Sequence, residues 1–140
     1  MLAAFPLLVL PVAFYNILML TISGAFTGAG AGARLSSPLV SFPMASHTVW
    51  TVSLGDLLLT GSLLILFADL LKSAGSRRIA ILNHSLSMLL FIICLVEFLL
   101  FPAFATSTFF LISLMVLLDV AAGFLTTLLA SRREADFRGD

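Results

Sequence analysis

Four carboxylates stand inside long apolar runs of this chain: Asp56, Asp69, Glu97 and Asp119. Buried acids of this kind can relay protons, hold a ligand or clasp helices together, because a bare charge in hydrocarbon is costly. Asp119 interrupts the run Phe109 to Leu125, which is long enough to cross a bilayer. A helix rises about 1.5 Å per residue, so position converts to depth. On that scale Asp119 alone falls near the midplane. Asp56 falls about one turn inside the outer end of the second apolar run, and Glu97 about one turn from the outer end of the third. Asp69 falls under one turn from the cytoplasmic end of the second. Asp119, Glu97, Asp56 and His84 are therefore the candidate proton or ligand sites.

Each acid also has a structural reading. Ser53-Leu54-Gly55-Asp56 has the form of a helix capping box. Asp69 can pair with Lys72 three residues on. Glu97 can pair with Arg34 or His47 from the outer loop. Asp119 can act as a neutral clasp between helices.

Histidine and cysteine narrow the chemistry. A haem held by two histidines needs both at one depth. Here His47 precedes the second run and His84 lies in the cytoplasmic half of the third. Within one chain that pair does not serve. His84 remains a candidate for an interfacial haem, a quinone headgroup or an interhelical hydrogen bond. Cys94 is the only cysteine, so disulfides within the chain and CxxC redox or zinc sites are excluded. No metal-ligand cluster, phosphate loop, dinucleotide fingerprint or nucleophile elbow is present. The expectation is a non-enzyme without a cofactor.

The elements that must position these residues follow from composition. The 140 residues are 61% hydrophobic and 10% charged, with a mean hydropathy of +1.19. Soluble domains are about half apolar and about a quarter charged, so lipid is the implied solvent. A formal net charge of zero gives nucleic-acid binding no electrostatic support. A bilayer core takes about 20 apolar residues as a helix. Four segments qualify, at about 2–22, 51–71, 79–101 and 107–130. Lipid demands that each satisfy its own backbone, so helices rather than strands are expected. The predicted fold is an all-α, integral-membrane, antiparallel four-helix bundle in a single domain.

Lys72, Arg77 and Arg78 lie between the second and third segments, and Arg132, Arg133 and Arg138 follow the fourth. The positive-inside rule puts both groups in the cytoplasm, with both termini there too. The default location is the bacterial inner membrane, as a multi-pass protein. Residues 72–78 form a short cytoplasmic turn, and 131–140 a cytoplasmic tail. The loop 23–50 is long, Gly- and Pro-punctuated and rather apolar. It is expected to lie on the membrane, tuck into the bundle or meet a partner. Trp50 marks the outer interface.

Polar and small residues form stripes. Asp119, Gly123, Thr127 and Ser131 recur every fourth residue in the last segment, a spacing that favours close helix approach in lipid. Asn83, Ser87, Cys94 and Glu97 share a face in the third, and Gly55, Ser62 and Asp69 recur every seventh in the second. Ser62, Ser87, Gly123 and Thr127 are the expected packing contacts. Asp119 is expected level with Thr60, Ser62 and Ser87, and somewhat inward of Asn16.

Gly28-Ala29-Gly30-Ala31-Gly32-Ala33-Arg34 faintly resembles the Gly-rich, Arg-containing segment of small four-helix fluoride channels. In that family the segment lies in the first helix; here a complete helix precedes it, and Asp56 stands about where the family has Asn. No family is assigned.

The functional expectation is a non-catalytic accessory, assembly or stabilising subunit of a larger membrane complex. Its partners are the lipid bilayer and either other membrane proteins or further copies of itself. The alternatives are a small proton-coupled transporter or channel using Asp119 and Glu97, and a quinone- or haem-associated anchor using His84.

Overall fold

A computed structural model describes residues 5–23, 28–74 and 77–138 of the chain. It is mostly helical. Three of its helices contain stretches long and apolar enough to cross a membrane: Leu54–Lys72, Ile81–Leu100 and Ser107–Thr126. The chain is in this sense a membrane-associated protein. The complete helices are α1 (Val9–Ser23), α2 (Ala31–Leu35), α3 (Leu54–Ala74), α4 (Arg77–Leu100) and α5 (Ser107–Arg138). A two-stranded sheet, β1 (Pro38–Pro43) and β2 (Val49–Ser53), precedes α3.

The chain's prolines and caps account for the helix boundaries. Residues 5–8 turn rather than wind, with Val9 N–H donating to the Pro6 carbonyl at 3.3 Å. Among the described residues the first helix thus starts at Val9, and positions 2–4 of the expected segment lie outside them. Phe5 is disfavoured from helical geometry by Pro6. Pro11 falls in the first turn of α1, where a missing N–H costs nothing. Pro102 stops α4 and opens a 3-10 turn, Pro102–Phe104, that reverses the chain into α5. Helix α5 is continuous for 32 residues, through and beyond position 130. At about 1.5 Å per residue it is about 48 Å long. The expected tail at 131–140 is therefore helical as far as Arg138.

The largest correction concerns the outer loop. An all-α fold was expected; residues 38–53 are instead an antiparallel hairpin. Phe42 stands opposite Trp50, Val40 opposite Val52, Ser41 opposite Thr51 and Pro43 opposite Val49, with an irregularity between Pro38 and Val40. Val49-Trp50-Thr51-Val52 is β-branched and aromatic, a composition that favours strand over helix. The membrane-length helix α3 consequently begins at Leu54, not Thr51. The turn closes through Met44 N–H to the Thr48 carbonyl (2.9 Å) and His47 N–H to the Met44 carbonyl (3.0 Å), with His47 at φ 60.

Helix α5 packs most extensively against α4 and then α3. The core joins Leu8 and, from α1, Val12, Tyr15 and Met19 to Leu66, Leu90, Cys94, Phe109, Ile112 and Val116. Tyr15, Phe104 and Phe109 form an aromatic cluster, with ring centroids 4.8–5.5 Å apart. Elsewhere Leu and Phe side chains such as Leu57, Leu64, Phe67, Leu99 and Leu129 point outward, as lipid-facing residues do. Three glycines permit close approach: a Cβ on Gly28 would meet the Pro102 carbonyl carbon at 2.8 Å. A Cβ on Gly55 would meet Thr108 Oγ1 at 2.9 Å, and one on Gly123 would meet His84 Cβ at 2.8 Å.

Candidate functional site

The polar side chains gather in two layers at different levels of the bundle. The inner layer joins α3, α4, α5 and the segment before α1. Asp119 Oδ2 accepts hydrogen bonds from the Ser87 hydroxyl and from Asn83 Nδ2, the latter at 3.5 Å. Ser87 and Asn83 lie one turn apart on α4, so both reach the same acid. Asp119 is 3% exposed. Asp69, Lys72 and His84 are close enough to act on it electrostatically.

Asp69 is fully buried, which the expectation of an interfacial position did not anticipate. The reason is tertiary. The segment before α1 folds over it, and Leu7 N–H donates to Asp69 Oδ2 at 2.7 Å. Lys72 Nζ pairs with Asp69 Oδ1 at 2.9 Å and also donates to the Phe5 carbonyl. The i, i+3 pair read from the sequence is therefore formed, but it also ties α3 to the start of the chain.

His84 lies at the edge of this layer. Its ring packs over Gly123, with Nδ1 buried and without a hydrogen-bond partner, and its centroid is 6.5 Å from that of Phe124. Gly123 acts as the expected packing contact. The Thr127 side chain lies outside the described residues.

The outer layer is separate. Asn16 Nδ2 donates to Glu97 Oε2 at 3.3 Å. This differs from the expected pairing of Glu97 with Arg34 or His47. Cys94 is fully buried, and the Ser113 hydroxyl donates to the Phe109 carbonyl at 2.9 Å. Tyr15, fully buried, donates to the Ala103 carbonyl at 3.1 Å and shares a 2.6 Å hydrogen bond with Thr106.

Asp56 belongs to neither layer. It is exposed, and its Oδ2 accepts from the Ser53 N–H (2.9 Å) and the Ser53 hydroxyl (2.7 Å). Ser53 Oγ in turn accepts from Asp56 N–H at 3.2 Å. This is the reciprocal capping box at the start of α3.

Ser62 is buried but turned away from Asp119. Its hydroxyl donates to the Leu58 carbonyl at 2.7 Å. It lies in a groove of about 440 Å³ between α1 and α3, lined otherwise by residues such as Leu10, Phe14, Leu57 and Gly61. Thr60 donates to the Asp56 carbonyl on the exposed side. Of the expected level-mates of Asp119, Ser87 is brought to it. On α3 the acid that acts on Asp119 is Asp69, seven positions or about 10.5 Å beyond Ser62. The later start at Leu54 accounts for three of those positions.

The sequence reading did not single out Tyr15, and it placed Asp69 and Asn83 outside the candidate site. Asn83 had a usable signal, since it stands four residues before Ser87 on one face. Tyr15 is the chain's only tyrosine, in an otherwise apolar helix. Among the described residues, no group of three or more His, Cys, Asp or Glu gathers as a metal site. Comparison of the chain with known protein families, with characterised proteins and with solved structures gave no match.

Proposed function

We propose that the protein is a small, non-catalytic accessory or stabilising subunit of a larger complex in the cell inner membrane. We read it as a four-span antiparallel bundle with both termini cytoplasmic. Support for the fourth span comes from the two attachments of α1. Its leading segment is held at the basic end by Asp69 and Lys72. Tyr15 and Asn16, about 12 Å further along the chain, are held in the other polar layer by Thr106, Ala103 and Glu97. The α1 helix of 15 residues is about 22 Å long, and the turns before it extend its reach.

The observation that carries the functional reading is how the intramembrane acids are used. Asp69, Glu97 and Asp119 each engage partners on another segment of the same chain. A transport path or reaction centre turns such groups toward a cavity. Here the groove between α1 and α3 is apolar, and its one hydroxyl, on Ser62, is spent on its own helix. Polar residues thus hold the bundle together, while the outer surface is left for lipid and neighbours.

Purification from native membranes in mild detergent tests this reading. Stoichiometric co-purifying membrane proteins are expected. A monodisperse species containing this chain alone would overturn it.

A second reading, a proton-coupled carrier, draws on one specific observation: Asp119 sits among Asp69, Lys72 and His84, while Glu97 stands in the opposite layer. It requires flux in reconstituted vesicles that Asp119→Asn abolishes. Absence of flux in the unmodified protein removes it.

A further inference from the structure

The hairpin of β1 and β2 has two different faces. Cross-strand partners share a face of a sheet. Phe42 with Trp50 and Val40 with Val52 therefore form one face, and their aromatic rings lie 6.0 Å apart. The other face carries Ser41 and Thr51, whose hydroxyls are 3.3 Å apart, with Pro43 and Val49. The aromatic face is bare: Val40 is 50%, Phe42 48% and Trp50 56% exposed. An isolated two-stranded hairpin is marginal in water, and it gains stability from a cover on its apolar face.

We propose that this face lies on the bilayer itself, embedding Phe42 and Trp50 in the outer headgroup region. Three observations select lipid as the cover. First, β2 runs directly into α3, a membrane-length helix, and the Ser53–Asp56 box fixes that junction. The hairpin therefore leaves the chain at the level where hydrocarbon meets water. Second, the sequence has no Lys, Arg, Asp or Glu between Arg34 and Asp56, so the face offers no charge to select a protein partner. Third, aromatic side chains flanked by aliphatic ones are the composition that membrane interfaces take up. The open strand edges confine the hairpin to the headgroup zone, because unpaired backbone groups do not enter hydrocarbon. Ser41 and Thr51 then face water. Five residues of β2 span about 17 Å, so the sheet has to lie along the surface to keep Phe42 and Trp50 at one depth. The inference rests on the membrane-spanning reading but not on the accessory role.

Trp50 is the only tryptophan in the chain, so its fluorescence reports this face directly. The full chain would be reconstituted in phosphatidylcholine vesicles. Insertion would first be verified by co-flotation and helical circular dichroism, which separates failure of the membrane reading from failure of this one. Lipids brominated near the headgroup are expected to quench Trp50 at least twofold more than lipids brominated near the chain end. Iodide on both sides of the vesicles is expected to quench weakly. In Phe42→Ser, bromolipid quenching should fall at least twofold and iodide quenching rise. Ser41→Val, on the opposite face, should change neither. Inserted protein whose Trp50 is open to iodide and untouched by bromolipid overturns the proposal. Protection from both quenchers that disappears on dilution with excess lipid also overturns it, and assigns the face to a second copy.

Discussion

Asp119 was legible in the sequence because depth could be counted from the chain ends of α4 and α5, and Ser87 lies where that count put it. Its role as a clasp gives a definite expectation. Asp119→Leu removes the acceptor used by Ser87 and should cost about 1–3 kcal/mol. Asp119→Asn keeps an acceptor oxygen and should stay within about 1 kcal/mol of the unmodified protein. Thermal unfolding in detergent measures both; equal losses would deny the clasp. Asp69 was not legible. Its burial depends on Leu7, 62 residues away in sequence, and no local pattern announces that contact. Removing Lys72 strands this buried carboxylate. Lys72→Met should therefore destabilise toward the lower end of the 3–5 kcal/mol range, about 3 kcal/mol, since the lysine is partly exposed. Adding Asp69→Asn to Lys72→Met should recover part of that loss. A double-mutant cycle reads the coupling, and strict additivity would show that the pair is not coupled.

Among the elements, the stop of α4 and the cap of α3 were readable, and the end of α5 and the hairpin were not. Pro102 and the Ser53–Asp56 box act locally, so sequence reports them faithfully. The strand residues Thr51 to Ser53 adjoin the apolar helix without a break in composition, and counting apolar residues merged them with it. Glycines separate by what surrounds them. Gly61 has nothing within 4 Å of where a Cβ would stand, whereas Gly123 has His84 at 2.8 Å. Gly61→Ala should therefore stabilise the protein by up to about 1 kcal/mol through helix propensity. Gly123→Ala should destabilise by about 1–3 kcal/mol as α4 is pushed off α5. Opposite shifts in melting temperature are the expected result; shifts of the same sign would contradict the packing.

At the scale of the whole molecule, the three membrane-length helices followed from apolar run length. The tie between α1 and both polar layers did not, because it is made by single side chains across the bundle. The proposed topology is tested in a Cys94→Ser background carrying one new cysteine at a time. Ser46→Cys, in the hairpin turn, should react with a membrane-impermeant maleimide in intact cells. Ser76→Cys and Ala3→Cys should react only after permeabilisation. Labelling of Ala3→Cys from outside would reduce the protein to three spans and place its N-terminus across the membrane from its C-terminus.

One feature of α5 has a mechanical side. A bilayer core is about 30 Å thick, and the unbroken helix is about 48 Å long. On the membrane-spanning reading, roughly 18 Å of α5 would stand clear of the hydrocarbon, in the same unbroken helix as Asp119 and Gly123. A rotation imposed at Asp119 would then carry to Arg138, as along an axle, and a partner docked there would be held at a set distance and angular phase from the membrane. Inserting one residue in the protruding part would turn it by about 100° without altering the bundle.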